Sequence, residues 1–124
     1  MDPIAHFDGK GILIVAQAHA ITIEAGRSLV HYGAFVMGPL DDSELVVRLI
    51  KGGSVDAAIL DVELGVKEAI LIVEELEREH VPFVFALAEL RAQIPADFAG
   101  YRLVAVVDEL RVIALALFQR SRLG

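Results

Sequence analysis

Short apolar runs alternate with longer segments of helical period along this chain, and that alternation limits the possible folds more than any other feature. The first run is continuous and β-branched, as expected of a strand that is buried on both faces. Strands that are joined through helices form a parallel sheet with helices packed on it. With 124 residues the chain is long enough for one such domain. The five runs cover residues 12–15, 34–37, 57–60, 83–85 and 103–107.

The helical segments between these runs carry start and stop signals. Gly33 suits the position just after a helix, and the acidic residues within 41–43 suit the N-cap of the next one. In the third helix, Glu75 and its acidic neighbours are expected to face solvent. Residues 88–97 indicate a short fourth helix, and Asp108 is expected to cap the last one.

The composition excludes several classes of protein. A net charge of −7 without clustered Lys and Arg argues against a nucleic-acid partner. There are no cysteines, and no apolar stretch approaches the roughly 20 residues of a membrane span, so disulfides, thiolate metal sites and a membrane location are not expected. Residues 1–10 lack a secretory signal and are expected to form a tail before a cytoplasmic domain of residues 11–122.

A specific resemblance to a known family begins at the third strand, where residues 59–65 read ILDVELG. This segment resembles the strand-three signature of response-regulator receiver domains, in which the aspartate, here Asp61, accepts a phosphoryl group. Gly38-Pro39 and residues 81–85 lie where receivers carry similar segments. The resemblance implies a flavodoxin-like three-layer α/β/α sandwich with strand order 2-1-3-4-5 and a site at the carboxyl ends of the strands.

The sequence departs from the receiver pattern at most of the residues that perform phosphotransfer. Receivers hold Mg²⁺ with two acidic residues after strand one, and here Ala16-Gln17 replace them. Receivers end strand four with a Thr or Ser, and Leu87 occupies that position here. They end strand five with a lysine, and the matching position here is about Val106. Because Mg²⁺ requires several hard oxygen ligands, Asp61 alone is expected to bind it weakly or not at all, and no other cofactor is indicated.

Other polar residues do not form a recognisable catalytic set. Lys67 and Arg91 are candidates to replace the lost cation, although each also fits a solvated face. The four histidines lack metal-binding spacing, and neither a Ser-His-Asp set nor a phosphate-binding glycine loop is present. The sequence therefore predicts no enzyme, and Asp61 also fits the plainer role of capping the loop that follows its strand.

The last helix is apolar on nearly all sides, which predicts an interface. Leu110, Ile113 and Leu117 form the stripe expected to pack on the sheet. Three of the remaining apolar residues are assigned to a partner surface, and receivers commonly dimerise through this region; alternatively, the N-terminal tail or residues 98–102 fold over them. The proposed interface residues are Val112, Leu115 and Phe118.

Together with the resemblance, these features predict a stand-alone degenerate receiver that acts as a protein-interaction module in two-component signalling. We expect a homodimer through the last helix, and a histidine kinase or another signalling protein as partner. Two alternatives stay open at this stage. One is a working phosphoacceptor that is modified on Asp61, and the other is a flavodoxin-like protein that binds a small ligand at the same edge.

Overall fold

The computed structural model describes residues 2–88 and 100–119. In these residues five strands alternate with four α-helices, after a 3-10 helix at Pro3–Phe7. The strands are β1 (Gly11–Val15), β2 (Phe35–Leu40), β3 (Ala57–Asp61), β4 (Phe83–Leu87) and β5 (Tyr101–Arg102). The helices are α1 (Ala20–His31), α2 (Ser43–Lys51), α3 (Val66–Arg78) and α4 (Val107–Phe118).

The strands form one all-parallel sheet in the order β2-β1-β3-β4-β5. This confirms the α/β class that the sequence pattern predicted and the strand order that the resemblance implied. Every residue of β1 and of β3 is buried. Central parallel strands are covered on both faces, which is why they require continuous apolar runs rather than an alternating pattern.

Helices pack on both faces of the sheet and give it two separate cores. On one face α1, α4 and the 3-10 helix surround Ile12 and Ile14 of β1. On the other face α2 and α3 surround Leu13 and Val15 of the same strand. Successive residues of a strand point to opposite faces, so β1 contributes to both cores and the domain has three layers.

The ends of α1 and α2 follow the signals in the sequence. Gly33 comes directly after the C-cap of α1 with a φ of +95°, a conformation that a residue with a Cβ rarely adopts. Asp42 is the N-cap of α2, and its side chain accepts hydrogen bonds from the N–H groups of Glu44 and Leu45 at 3.0 and 3.3 Å. Both predictions are confirmed.

The sequence prediction for the end of β2 is wrong. The strand was expected to stop before Gly38-Pro39, but it continues through this pair to Leu40. β2 is an edge strand, where a proline does not interrupt a ladder on both sides. Gly38 has a φ of +111° and lies so close to the carbonyl of Ile14 that a side chain would collide with it.

The prediction for β5 is also wrong. The apolar run at residues 103–107 was expected to be the strand, but β5 consists of Tyr101–Arg102. Arg102 pairs with Leu87, the last residue of β4, and the N–H of Leu103 still donates to the carbonyl of Leu87 at 3.0 Å. Since β4 ends there, the following apolar residues have no ladder partner despite their high strand propensity.

Glu75 is not on the solvent side of α3 as predicted. It is 3% exposed, and its Oε1 accepts a hydrogen bond from the guanidinium of Arg78. Its Oε2 is buried without a hydrogen-bond partner among the described residues. α3 packs against α2 as well as against the sheet. Its buried face is therefore wider than that of a helix that contacts only a sheet.

The two ends of the described chain meet. Ile4 and Phe7 of the 3-10 helix are buried in the core beside α4, within the residues 1–10 that the sequence assigns to a tail. Val106 is the N-cap of α4 and makes no side-chain cap bond, so the prediction that Asp108 caps this helix is wrong. Apart from Ala88, the helix predicted at residues 88–97 lies outside the described residues.

Candidate functional site

The carboxyl ends of β1 and β3 lie side by side, which places Asp61 beside the residues that follow the first strand. Val15 pairs with Leu60 in the parallel ladder, so Ala16 and Asp61 follow as neighbours on strands spaced about 5 Å apart. Asp61 in turn pairs with Ala86 of β4. Parallel α/β sheets usually bind their ligands at this edge.

Asp61 is 9% exposed, and its side chain shapes the loop that follows β3. Its Oδ1 accepts a hydrogen bond from the N–H of Glu63 at 3.0 Å, and its carbonyl accepts one from Leu64 at 3.1 Å. An aspartate that accepts from the backbone two residues later forms an Asx turn. The geometry thus gives Asp61 a loop-capping role, whatever further chemistry it performs.

The other predicted site positions carry apolar or neutral side chains. Ala16 is buried in the core, whereas Gln17 is exposed and lines the cavity beside Asp61. Leu87 is buried at the end of β4, and Val106 is exposed directly before α4. The structure therefore brings Ala16, Gln17 and Asp61 together at one edge, with only the latter two in the cavity wall.

A cavity of about 460 Å³ opens beside Asp61, and four carboxylates line it. The other three belong to Asp41, Glu63 and Glu68. The remaining lining residues are Gln17, His19, Leu64 and Gly65. Among the described residues of this wall there is no Lys or Arg.

Asp41 is a member of this site that sequence reasoning missed. It comes from the loop between β2 and α2, where the sequence offered two adjacent aspartates as helix caps. Only Asp42 caps the helix, while Asp41 lines the cavity. Because Asp42 alone suffices to cap α2, the adjacent Asp41 was the sequence signal for a further role. That Asp41 lies near Asp61, however, depends on the strand order.

The loop between β1 and α1 is held by Thr22, which is fully buried. Its hydroxyl lies 2.8 Å from the carbonyl of Gln17, to which it donates, and it accepts from the N–H of His19 at 3.1 Å. His19 is the N-cap residue of α1. These bonds fix the backbone that presents Gln17 and His19 to the cavity.

The carboxylates of the cavity are not arranged as a metal site. Within residues 2–88 and 100–119, no group of three or more His, Cys, Asp and Glu side chains is placed to hold a metal ion. Lys67, one candidate replacement cation, is exposed on α3 and is absent from the cavity wall. The other, Arg91, lies outside the described residues.

The outer side of α4 is only partly covered. Phe118 packs against the 3-10 helix, with its ring centroid 5.7 Å from that of Phe7 in an edge-on arrangement and 6.1 Å from that of His6. Val112 and Leu115 remain 48% and 38% exposed. The N-terminal segment therefore covers one flank of the predicted interface and leaves the other apolar flank open.

An ion pair fastens the N-terminal segment to α4. The Nε and NH2 atoms of Arg111 each donate to a different carboxylate oxygen of Asp2, both at 2.9 Å. These bonds, with a smaller contribution from the N–H of Ile4, lower the pKa of Asp2 to about 2. The hydrogen bond to Asp2 and a second one to Asp108 raise the pKa of the Arg111 guanidinium.

Comparisons of the chain with protein-family models, with curated proteins and with solved structures found no match. In the described part of the chain, none of the helices is both long enough and apolar enough to cross a bilayer.

Proposed function

We propose that this chain is a degenerate receiver domain that acts as a protein-interaction module in two-component signalling, without catalytic activity of its own. The observation that carries this proposal is the cavity beside Asp61, which lies at the sheet edge where receivers are phosphorylated and is lined by four carboxylates. The resemblance of residues 59–65 to the receiver signature is the reason for proposing the receiver family.

Electrostatics disfavours phosphotransfer at this edge. Ala16 supplies no ligand, and Gln17 supplies a neutral oxygen where Mg²⁺ prefers carboxylates. Without the metal, an incoming phosphoryl group meets like charges in the cavity wall. At an assumed separation of 6 Å, each pair of like unit charges costs about 1–3 kcal/mol for effective dielectric constants between water and a protein surface.

Signal transmission would then depend on binding, and the open flank of α4 is the proposed surface. Val112 and Leu115 lie on the exposed side of this helix, and Val106 precedes it with 52% exposure. Exposed apolar side chains that lie together commonly mark protein interfaces. We assign this flank to a homodimer contact, and a histidine kinase or another signalling protein to the role of partner.

Amide NMR shifts test the loss of phosphotransfer. Titration with Mg²⁺ and beryllofluoride should leave the amides of Val62, Glu63 and Leu87 without saturable shifts. The proposal fails if millimolar Mg²⁺ gives saturable shifts that Asp61→Ala removes and that Asp41→Asn, a change elsewhere in the cavity wall, retains. That outcome would establish the chain as a working phosphoacceptor.

Sedimentation equilibrium tests the α4 interface separately. The wild type should sediment as a dimer, and Leu115→Glu should shift it to the monomer. Ile70→Glu is a matched control, because Ile70 is an exposed apolar residue on α3, and this variant should remain dimeric. A monomeric wild type, or equal dissociation of both variants, contradicts the assignment of α4.

A further inference from the structure

The outer edge of β2 has main-chain groups that no strand of the described chain satisfies. β2 lies at one end of the sheet, and the N–H of Phe35 donates inward to the carbonyl of Lys10 at 2.8 Å. Because successive residues of a parallel strand direct their hydrogen bonds to opposite sides, the N–H and C=O of Val36 point outward. An edge of this kind accepts a further strand.

The side chains of β2 do little to prevent such pairing. Proteins usually protect an edge strand with charged residues, prolines or bulges. The six residues of β2 read FVMGPL and contain no charge. Pro39 and a register shift in the ladder with β1 beyond Met37 interrupt the far end, so the open part of the edge is its first half, around Val36.

An apolar groove of about 360 Å³ runs beside this open edge, between α1 and β2. Gly26 and Val36 line it together, and a Cβ placed on Gly26 would lie only 3.6 Å from Val36 Cγ1, so helix and strand are close together there. The flanking apolar residues, Ile23 and Val30, are 38% and 55% exposed. The groove therefore offers an apolar surface next to free main-chain hydrogen-bonding groups.

Arg27 gives the groove a positive charge. It is exposed, lines the groove and has no ion-pair partner among the residues that the structure describes. Ile23, Arg27 and Val30 are spaced i, i+4 and i+7, so they form one row about 10 Å long. In a chain whose net charge is −7, an unpaired arginine in an apolar row points to a carboxylate on the partner.

We infer that this groove binds an extended segment of a partner protein, which adds as a strand to the open edge of β2. Since an extended chain rises about 3.3 Å per residue, three successive side chains on one face of it span about 13 Å, slightly more than the row on α1. Side chains on one face of that segment would be apolar, acidic and apolar in turn, with the acid opposite Arg27. This surface does not include α4 or Asp61. The inference is therefore independent of the proposed receiver function.

A designed peptide provides the test. We would titrate the ¹⁵N-labelled protein with Thr-Val-Ser-Glu-Ser-Val-Thr and with the same peptide carrying Lys in place of Glu. The glutamate peptide should shift the amides of Gly26, Val30 and Val36 and bind about fivefold more tightly than the lysine peptide, the upper range of an exposed ion pair. Arg27→Glu should reverse that preference, and Arg48→Glu, which changes an exposed arginine of α2, should not.

Backbone methylation distinguishes strand addition from simple side-chain docking. Peptides N-methylated at alternate residues should lose binding for one set of positions and keep it for the other, because only one set faces the edge. Equal effects for both sets, equal affinity of the glutamate and lysine peptides, or shifts that lie outside the groove overturn the proposal. So does a wild-type dimer that Val30→Glu dissociates, since a second copy would then occupy the edge.

Discussion

Replacing the buried carboxylate of α3 should stabilise the domain. Glu75 is 3% exposed, its Oε2 has no hydrogen-bond partner among the described residues, and its Oε1 contacts Arg78. A buried acceptor without a partner costs about 1–3 kcal/mol. The side chain of Arg78 is 60% exposed, so solvent screens the ion pair to roughly 0.2–1 kcal/mol. Glu75→Met fills a similar volume without charge and should therefore raise the unfolding free energy by about 1–2 kcal/mol.

Urea denaturation at neutral pH measures this change. The midpoint should increase with an unchanged slope, because the variant buries a similar surface. Glu74→Met is the control, since Glu74 is the exposed neighbour on the same helix, and it should change the unfolding free energy by less than about 0.5 kcal/mol. A lower midpoint for Glu75→Met would refute the argument, because it would mean that the carboxylate stabilises α3.

Three further predictions concern the N-terminal segment and α1. Phe7→Ala should destabilise the domain by about 3–5 kcal/mol in urea denaturation, because Phe7 is fully buried; an effect below 1 kcal/mol would make residues 1–10 a dispensable tail. Gly26→Ala should stabilise α1 by up to about 1 kcal/mol, since its nearest neighbour would lie at ordinary contact distance, and a loss of stability would contradict that packing. The stability that the Asp2–Arg111 ion pair contributes is fully present above the unfolded pKa of Asp2, 3.8, and is lost as the pH falls towards its folded pKa of about 2. Arg111→Gln should therefore reduce the dependence of the unfolding free energy on pH in that window. An unchanged pH dependence would exclude the ion pair as the cause of the acid-induced loss of stability.

The sheet was predictable because its two central strands are continuous apolar runs, broken only by Asp61 at the end of β3. A run such as the one in β3 fits a strand covered on both faces, and the alternation with helices then fixes a parallel sheet. The same reasoning failed for β5, where the run at 103–107 has strand propensity but lies beyond the last residue of β4 that offers a pair. Whether an apolar run becomes a strand depends on its neighbour, which composition does not reveal.

The burial of Glu75 and the position of Asp41 could not be predicted for a related reason. Helical period gives the centre of the buried stripe of α3, but its width depends on the packing of α2 against it. Likewise, the motif around Asp61 predicts one acid at the sheet edge, whereas the approach of Asp41 depends on where the loop after β2 lies. Local sequence constrains each element, and contacts between elements decide these two residues.

Restoring an acid at the end of β1 tests the electrostatic argument directly. Ala16 is 1% exposed, and it and Asp61 directly follow the paired residues Val15 and Leu60. Ala16→Asp would therefore place two carboxylates side by side on neighbouring strands about 5 Å apart. Their repulsion at an effective dielectric constant near 20 is about 3 kcal/mol. We expect a loss of stability of that size in metal-free buffer. Ala18→Asp is the control, because Ala18 is exposed and does not line the cavity, and it should change stability by less than about 0.5 kcal/mol.

Millimolar Mg²⁺ should recover much of the stability that Ala16→Asp loses, because a divalent cation between the two carboxylates removes their repulsion and binds only the folded state. The wild type, in which Ala16 offers no ligand, should show no such response in the same melts. If Mg²⁺ stabilised both proteins equally, the wild-type edge would already hold the metal. If it stabilised neither, repulsion between the carboxylates would not be the cause of the loss, and the absence of an acid after β1 would no longer explain the weak Mg²⁺ binding that the sequence predicts.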